Sequence, residues 1–251
     1  MSEQHDVAAA PGPPLDAPAL PGRVVFDQEW RDLVFVHWPV RPRDVEQFMP
    51  PGVRVDVWRD GMTYVGLVPF RMRRAGFGPN MPLPYFGSFL EWNVRLYSVD
   101  DAGRHGVVFR SLDATRLPVV ALANAGGVPY RWARISASRS NGGEVSWQMR
   151  RLARRSITSS LRLRVGEPTE PTPLESFLVS RWGMHSTFAG RTIWVPNRHG
   201  RWPLYAADIV QLADGLVDAA GVPMAGAPLR ALWSPGVRAR FSWPQVVPVS
   251  T

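Results

Sequence analysis

The sequence contains neither lysine nor cysteine, and each absence excludes a class of chemistry. All 29 basic residues among the 251 are arginine. A buried lysine amine can lose its proton and form a Schiff base with a carbonyl, whereas a guanidinium group stays protonated. The lack of cysteine excludes disulfides, thiolate metal sites and cysteine nucleophiles. Any catalysis must therefore use carboxylates, histidine, tyrosine, serine or arginine.

Long apolar runs and secretory signals are also missing. No segment approaches the roughly 18 consecutive apolar residues of a membrane span. Residues 1–22 are rich in alanine and proline, without the basic and apolar regions of a signal peptide. We therefore expect a cytoplasmic protein that does not associate with membranes and has a disordered tail over residues 1–22. Because 45% of the chain is hydrophobic, residues 23–251 are expected to form a single domain around one core.

The net charge of +8 comes from arginines that are spread along the chain. Nucleic-acid-binding proteins concentrate their basic residues on one face. Here only residues 71–74 and 150–155 carry local clusters, and no helix-turn-helix or aromatic RNA-binding motif is present. The pattern favours a solvated basic surface and no nucleic-acid partner, with a polyanion or an acidic partner as the alternative.

Motifs for common cofactors are absent as well. The glycines form neither a G-x-G-x-x-G turn nor a Walker loop, so no nucleotide cofactor is expected. His37, His185 and His199 lack the spacing of a metal site, so no metal is expected. Ser111 lies in RSLDA rather than in a G-x-S-x-G elbow, which does not support a hydrolase. A small molecule is left as the expected ligand.

Short strands dominate the pattern that is present. Segments rich in β-branched and aromatic residues, separated by turn residues, predict strands over residues 32–40, 53–58, 62–70, 89–99, 107–112, 130–139, 144–151, 157–165, 187–195, 203–212 and 237–243. The turn Asp60–Gly61 predicts a hairpin between the second and third of these strands. The fourth and fifth strands are predicted to form another hairpin, and residues 71–86 a long loop over the open end of a sheet.

Helices are few and short in this prediction. Residues 41–49 and 117–125 are expected to be helical, and residues 214–220 to form a brief helical turn. Thr172 begins a capping box that opens a helix through about Arg181. Many short strands with few helices predict a mainly β (α+β) fold, a closed or nearly closed β-barrel. Exposed strand edges would allow a homo-oligomer.

The densest polar pattern lies on the predicted strand FLEWNVRLYSV. Strand alternation places Glu91, Asn93 and Arg95 on one face and Trp92 with its apolar neighbours on the other. If the polar face points to solvent, the apolar face belongs to the core and the pattern has no functional meaning. If the polar face turns into the barrel, the three side chains form a binding site.

The following strand, VVFRSLDAT, favours the inward arrangement. When the two strands pair, either Arg110 or the pair Ser111 and Asp113 joins the same interior. Carboxylates and guanidinium groups on inward positions of two adjacent strands fit a site or a buried ion-pair network.

Three further residues are candidates for the same site. Tyr64 could assist acid–base chemistry, and Trp92 could form a wall of an aromatic cavity, although core packing is the ordinary role of such side chains. His37 in VFVHWPV is either a core imidazole that is hydrogen-bonded to the backbone or a base in the site.

Seven ordered segments resemble the DUF2071 family, relatives of acetoacetate decarboxylase: FVHWPV, YVGLVPFRM, FLEWNVRLY, GVVFRSLDA, VPYRWARI, LESFLVSRW and RWPLY. The match runs from about Trp30 to near Trp243. The resemblance implies a closed, cone-shaped β-barrel of the acetoacetate decarboxylase-like type, with an apolar interior that holds the active site and a few short outer helices. His199 only loosely matches a histidine typical of the family.

The decarboxylase's Schiff-base chemistry does not transfer to this sequence. Where the resemblance would place a lysine pair, residues 111–115 read SLDAT. Glu91 is the natural candidate for a glutamate that persists on the preceding strand.

Two functions are consistent with these observations. The first is a small-molecule enzyme, in secondary metabolism for example, that acts on a carbonyl, β-keto acid or polyketide-like substrate by decarboxylation, dehydration, enolisation or cyclisation. Glu91 would be the general acid or base, Arg95 or Arg110 would bind a carboxylate or an enolate, and Asp113 or Tyr64 would assist. The second is a non-catalytic barrel for an apolar acid or a protein partner, in which Glu91 and Arg95 form a structural ion pair.

Overall fold

The computed structural model of the protein describes residues 12–116, 129–140 and 142–248. Strands account for most of these residues. They are β1 Phe26–Val40, β2 Val53–Val55, β3 Thr63–Phe77, β4 Phe89–Asp100, β5 His105–Ala114, β6 Tyr130–Arg139, β7 Glu144–Arg151, β8 Thr158–Pro168, β9 Gly183–Phe188, β10 Arg191–Arg198, β11 Tyr205–Asp214, β12 Ala231–Phe241 and β13 Gln245–Val246.

The helices of the described ranges are short. They are α1 Pro42–Val45, which continues as the 3₁₀ helix Glu46–Phe48, α2 Pro173–Val179 and α3 Leu216–Ala219. Helix α2 begins at the predicted capping box: the Glu175 amide donates to Thr172 Oγ1 (3.2 Å), and the Thr172 amide donates to Glu175 Oε2 (2.8 Å). Within the same ranges, no helix combines the length and the apolar character needed to span a membrane.

Nine strands close into a barrel. The hydrogen-bonded order is β5-β6-β7-β8-β11-β12-β1-β3-β4, and β4 returns to β5. The β5–β6 pair is parallel and the other pairs are antiparallel. The predicted closed β-barrel with few short helices is confirmed.

A smaller second ring shares one wall with this barrel. Strand β9 pairs in parallel with β5, β10 pairs with β9, and β10 also pairs with β12. The shared wall consists of β12, β1, β3, β4 and β5. Because side chains of a strand alternate between its two faces, each shared strand contributes one set of side chains to each ring.

The two rings have different interiors. The nine-strand ring is filled by a cluster of buried apolar side chains that includes Leu67, Trp92 and Trp147. The wall of the smaller ring carries a second cluster, which includes Leu33, Val68 and Phe70. The first ring is a packed core, and the second encloses the cavity described below.

Three predictions about local elements are wrong. Residues 58–62 do form the turn at Asp60–Gly61, but β2 pairs with β4 instead of β3, so no hairpin joins them. The loop predicted over residues 71–86 begins only after Phe77, because β3 continues to that residue. The single strand predicted over residues 187–195 is a hairpin of β9 and β10, with Ala189 and Gly190 at positive φ in its turn. The helix predicted over residues 117–125 lies outside the described residues.

Candidate active site

The smaller ring encloses a cavity of about 360 Å³. This volume lies within the range of small-molecule pockets. Aromatic and aliphatic side chains form most of its wall, among them Phe26, Trp30, Leu33, Val68, Phe70, Met72, Phe109, Trp202 and Phe241. Apolar walls of this kind disfavour the charged form of an acid that is buried among them.

Glu91, Asn93 and Arg95 all line this cavity. They alternate along β4 with Trp92, Val94 and Leu96, which pack in the core of the nine-strand ring. Thus the strand presents its polar face to the cavity and its apolar face to the packed core. The sequence pattern on β4 arises from its place between two interiors rather than from contact with solvent.

Glu91 is 2% exposed, and its carboxyl group accepts a hydrogen bond from the Tyr130 hydroxyl group (Oη to Oε2, 2.7 Å). The pKa of Glu91 is raised to about 7, mainly by burial and also by the nearby charge of Asp113. Hydrogen bonds from Tyr130 and Asn93 act in the opposite direction and favour the ionised form. Glu91 can therefore exchange a proton near neutral pH, as a general acid or base requires.

Two arginines face the same cavity, Arg95 from β4 and Arg181 from the segment after α2. The Arg95 Nη2 group donates to the Leu178 carbonyl (3.2 Å), and the Arg181 Nε group donates to the Phe177 carbonyl (2.8 Å). Both guanidinium carbons lie near the Tyr97 ring, at 5.7 and 4.7 Å from its centre. The two cations are thus held side by side at the C-terminal end of α2.

Glu91 and Arg95 do not form an ion pair with each other. Glu91 is bound by Tyr130 and Asn93, whereas Arg95 is bound by a backbone carbonyl. Within the described ranges Arg95 has no carboxylate partner. The structural ion pair expected for a non-catalytic barrel is therefore absent from these residues.

His199 borders the cavity as a neutral imidazole. Its Nδ1 atom is 2.6 Å from the Gly200 carbonyl oxygen, which can only accept, so Nδ1 carries the proton and Nε2 is an acceptor. The pKa of His199 is lowered to about 4. Burial is the main cause and the charge of Arg95 adds to it, whereas the hydrogen bond with Gly200 acts in the opposite direction. The ring packs against Trp182 and Trp202, each with its centre 4.7 Å away.

Neither Arg110 nor the pair Ser111 and Asp113 joins the cavity, which corrects the expectation from the sequence. Val94 pairs with Ser111, but Arg95 pairs with Phe109, so Arg110 is the extra residue of a β-bulge. The bulge turns Phe109 into the cavity. Arg110 instead stacks on Phe48, with its guanidinium carbon 3.6 Å from the ring centre, in a separate outer groove.

The register also explains where Ser111 and Asp113 lie. Trp92 pairs with Asp113 across the β4–β5 ladder, so the Asp113 carboxylate shares the face that points into the nine-strand ring. There it forms an ion pair with Arg151 (Nε to Oδ1, 2.7 Å), and Ser111 bonds to both groups. This is a buried ion-pair network of the packed barrel, outside the cavity wall.

Tyr64, Trp92 and His37 also lie away from the cavity. The Tyr64 hydroxyl donates to Asp60 Oδ2 (2.6 Å), and burial raises the pKa of Tyr64. Trp92 packs edge-on against Trp147 in the core. His37 Nε2 is hydrogen-bonded to Tyr97 Oη (2.6 Å). The pKa of His37 lies well below its usual value, mainly because the ring is buried and also because Arg95 and Arg181 are positively charged.

Sequence reasoning missed Tyr130, Arg181 and Asn197, which line the cavity. Two of them lie in segments that resemble the family: Tyr130 in VPYRWARI and Arg181 in LESFLVSRW. Their position in the same cavity as Glu91 and Arg95 depends on strand order, since β6 and β9 both pair in parallel with β5 and Arg181 lies just before β9. No local pattern carries that information.

Known proteins resemble this chain in sequence over most of its length. Residues 27–238 match the model of DUF2071, "Uncharacterized conserved protein (COG2071)". The uncharacterized protein YqjF of Bacillus subtilis (strain 168) is 26% identical over 206 residues, which cover 80% of this chain and 83% of that protein. The family predicted from the seven ordered segments is confirmed.

Solved structures share the fold at low sequence identity. The enduracididine biosynthesis enzyme MppR, in complex with the condensation product of pyruvate and imidazole 4-carboxaldehyde, superposes with a TM-score of 0.64 at 16% identity, over 93% of this chain and 92% of that chain. An acetoacetate decarboxylase-like enzyme from Sphingomonas wittichii RW1 also gives 0.64, at 14% identity over 92% and 96% of the two chains. Acetoacetate decarboxylase from Legionella pneumophila gives 0.64 at 12% identity over 92% of each. The predicted acetoacetate decarboxylase-like fold is confirmed.

Proposed function

Since this chain belongs to the DUF2071 family and has the acetoacetate decarboxylase-like fold, we propose that it is an enzyme that acts on a small carbonyl compound without a covalent lysine intermediate. The observation that carries the proposal is the state of Glu91. This carboxyl group is buried in an apolar cavity, bonded to Tyr130, and has a pKa raised to about 7. Asp100, by contrast, has a lowered pKa: burial alone would raise it, but hydrogen bonds from His185 and Arg104 outweigh burial.

The reaction that suits this site is proton transfer at the carbon next to a carbonyl group. Ionised Glu91 would accept the proton, and the C–H bonding electrons would move to give an enolate whose negative charge lies mainly on oxygen. Protonated Glu91 would return the proton to carbon. Enolisation, dehydration and decarboxylation of a β-keto acid share this enolate or its equivalent, so the site supports the class rather than one member of it.

The charge that develops on the enolate needs a cationic environment. Arg95 lines the cavity on the same strand face as Glu91, and it has no acid partner among the described residues. A fixed cation in an apolar, enclosed site stabilises developing negative charge strongly, because little solvent screens the interaction. Arg95 would therefore replace the electron-withdrawing effect that an imine supplies in lysine-dependent enzymes.

The structural neighbours support the choice of probe substrates. MppR is described in complex with pyruvate, and acetoacetate decarboxylase is named for a β-keto acid. Both compounds carry exchangeable hydrogens next to a carbonyl group. Pyruvate and acetoacetate are therefore suitable first probes for this chain.

Solvent exchange tests the proposal. Pyruvate and acetoacetate are incubated with the protein in deuterated buffer, and loss of the α-hydrogen signals is followed by proton NMR. The wild-type protein is expected to accelerate exchange, and Glu91→Gln to reduce the rate by about 10²-fold or more. Glu46→Gln makes the same chemical change at an exposed position outside the cavity and should leave the rate unchanged. Equal rates for wild type and Glu91→Gln, or no exchange of either probe, would contradict the proposal.

A further inference from the structure

The cavity holds one more positive charge than its ion pairs account for. Arg181 forms an ion pair with the buried Asp56 carboxylate, which also accepts a hydrogen bond from His105 Nδ1 (2.7 Å). Arg95 has no acid partner in the part of the chain that the structure describes. Arg95 is partly buried, and withdrawing even part of a charge from water without a partner has a cost. A bound anion beside Arg95 and Arg181 would remove that cost.

Each guanidinium group is held by a backbone carbonyl and keeps one buried nitrogen without a hydrogen-bond partner among the described residues. The carbonyls of Phe177 and Leu178, at the end of α2, accept from Arg181 Nε and Arg95 Nη2. Helix ends expose such unpaired carbonyls, and cations are stabilised there. With these contacts made, Arg95 Nε and Arg181 Nη2 have no hydrogen-bond partner among the described residues.

Other unpaired polar atoms belong to the same cavity wall. Six of the eleven buried side-chain atoms without a hydrogen-bond partner, counted over the described residues, belong to residues that line this cavity: Trp30 Nε1, Asn93 Oδ1, Arg95 Nε, Arg181 Nη2, Asn197 Oδ1 and Ser242 Oγ. Asn93, Arg181 and Ser242 are at most 4% exposed. Buried polar groups in native proteins are normally hydrogen-bonded, so this wall carries more unmet hydrogen-bonding capacity than the rest of the described structure.

The remaining wall indicates the shape of that ligand. Trp30 stacks on Trp202 with ring centres 5.9 Å apart, and Phe70 and Phe241 pack edge-on against Trp30 at 6.3 and 6.0 Å. This aromatic cluster provides apolar surface and, apart from Trp30 Nε1, few polar atoms. A ligand with a flat or branched apolar tail would bury that tail here.

We propose that Arg95 and Arg181 together bind the carboxylate of an organic acid whose aromatic or branched apolar tail packs against Trp30, Phe70, Trp202 and Phe241. Carboxylate fits the donors because guanidinium N–H groups match its two oxygens in direction and charge. This inference rests on the proposed function only for the carbonyl group of the ligand. With that group, the substrate class is a keto acid with an apolar tail, and phenylpyruvate is the probe for it. Arg181 becomes a specificity-determining residue that the sequence pattern did not identify.

Calorimetric titration of the full chain tests the acid site separately from catalysis. Three probes of similar shape are compared: phenylpyruvate, 3-phenylpropanoate, which lacks the keto group, and 3-phenylpropanamide, which lacks the charge. Both acids are expected to bind at least about 10-fold more tightly than the amide, as a charge-assisted hydrogen bond predicts. An amide that binds as tightly as the acids, or no binding of either acid, would overturn the proposal.

Variants locate the binding to the two arginines. Arg95→Gln is expected to weaken binding of both acids by at least about 10-fold and to leave amide binding unchanged. Arg181→Lys retains a positive charge beside Asp56, so the fold is expected to persist, and it should also weaken acid binding because the paired donors are lost. Arg54→Gln, at an exposed position on β2, is the matched control. Wild-type affinity in both Arg95→Gln and Arg181→Lys would overturn the proposal.

The outcomes distinguish this inference from the proposed function. Arginine-dependent binding of 3-phenylpropanoate without any α-hydrogen exchange of phenylpyruvate would leave the acid site standing and reject the catalytic proposal. Exchange that depends on Glu91 and is slowed by Arg95→Gln, with unchanged affinities for both acids in both arginine variants, would reject the acid site and leave the catalytic proposal standing.

Discussion

The Tyr130 hydroxyl group and the Glu91 carboxylate are joined by a hydrogen bond of 2.7 Å across strands that do not pair with each other. This bond stabilises the ionised form of Glu91 and opposes the effect of burial on its pKa. The proton affinity of Glu91 is therefore set jointly by the apolar cavity and by one phenol group.

Tyr130→Phe is expected to raise the pKa of Glu91, because the variant removes a hydrogen bond to the ionised form. If ionised Glu91 is the base, the pH midpoint of α-hydrogen exchange shifts upward and the rate at pH 7 falls. A pH profile of exchange from 5.5 to 9 measures the shift. Tyr85→Phe, at a tyrosine that is 68% exposed, is the control. A midpoint that stays in place or falls would argue against this role of Tyr130.

Glu91 should also make folding stability depend on pH in an unusual direction. Its pKa is raised in the folded protein from 4.5 to about 7, so the native state binds more protons than the unfolded state between these values. Stability is then lost as pH rises through this window, by about 2–3 kcal/mol between pH 5 and 8. The histidines with a lowered pKa, such as His199 at about 4, act in the opposite direction.

The difference between wild type and Glu91→Gln isolates this contribution. Urea unfolding of both proteins at pH 5, 6.5 and 8 should show that the variant gains stability relative to wild type as pH rises. A stability difference that is constant over this range would show that Glu91 ionises in the folded protein as it does in the unfolded chain.

Gly66 is expected to position Arg95. It lies opposite Arg95 in the β3–β4 ladder, and a Cβ atom at this position would be 3.2 Å from Arg95 Cγ and Nε and 3.1 Å from the Tyr97 hydroxyl. Gly66→Ala should therefore displace the guanidinium group and weaken 3-phenylpropanoate binding by roughly 10-fold, the effect of one charge-assisted hydrogen bond. Calorimetry measures the change, with Gly142→Ala, whose added Cβ meets only ordinary contacts, as the control. Unchanged affinity in Gly66→Ala would contradict the assigned position of Arg95.

Asp113 is expected to contribute to stability rather than to catalysis. Asp113→Asn leaves the buried Arg151 guanidinium without its charge partner, which should reduce the free energy of unfolding by about 3–5 kcal/mol. Asp101→Asn breaks an exposed pair with Arg54 and should change it by about 0.5 kcal/mol or less. Denaturant titration gives both values. A stable Asp113→Asn protein that has lost α-hydrogen exchange would instead assign Asp113 to the reaction.

Local sequence patterns predicted the parts of this molecule whose cause is local. The capping box at Thr172 and Glu175 forms both of its hydrogen bonds, because it depends on four consecutive residues. The alternation along β4 separated Glu91, Asn93 and Arg95 from the core side chains, because period two follows from strand geometry. The seven ordered segments identified the family, and with it the barrel.

The parts that could not be predicted depend on strand pairing and on a single irregularity. One extra residue at Arg110 shifts the β4–β5 register, and no feature of VVFRSLDAT marks it. The turn at Asp60–Gly61 forms, yet the strand before it pairs with β4, because tertiary packing decides the neighbours of a short strand. Tyr130 and Arg181 are 39 and 90 positions from Glu91 in the sequence, so only the closed ring brings the three side chains to one cavity.

In this chain without lysine, Glu91 is the ionisable group of the cavity that we propose to work near neutral pH. Its carboxyl carbon can be followed directly by ¹³C NMR in protein labelled at glutamate, with Glu91→Gln used to assign the signal. A titration with a midpoint at about 7 is expected. A midpoint near the ordinary value of 4.5, in a protein shown to be folded over the same pH range, would contradict the proposal.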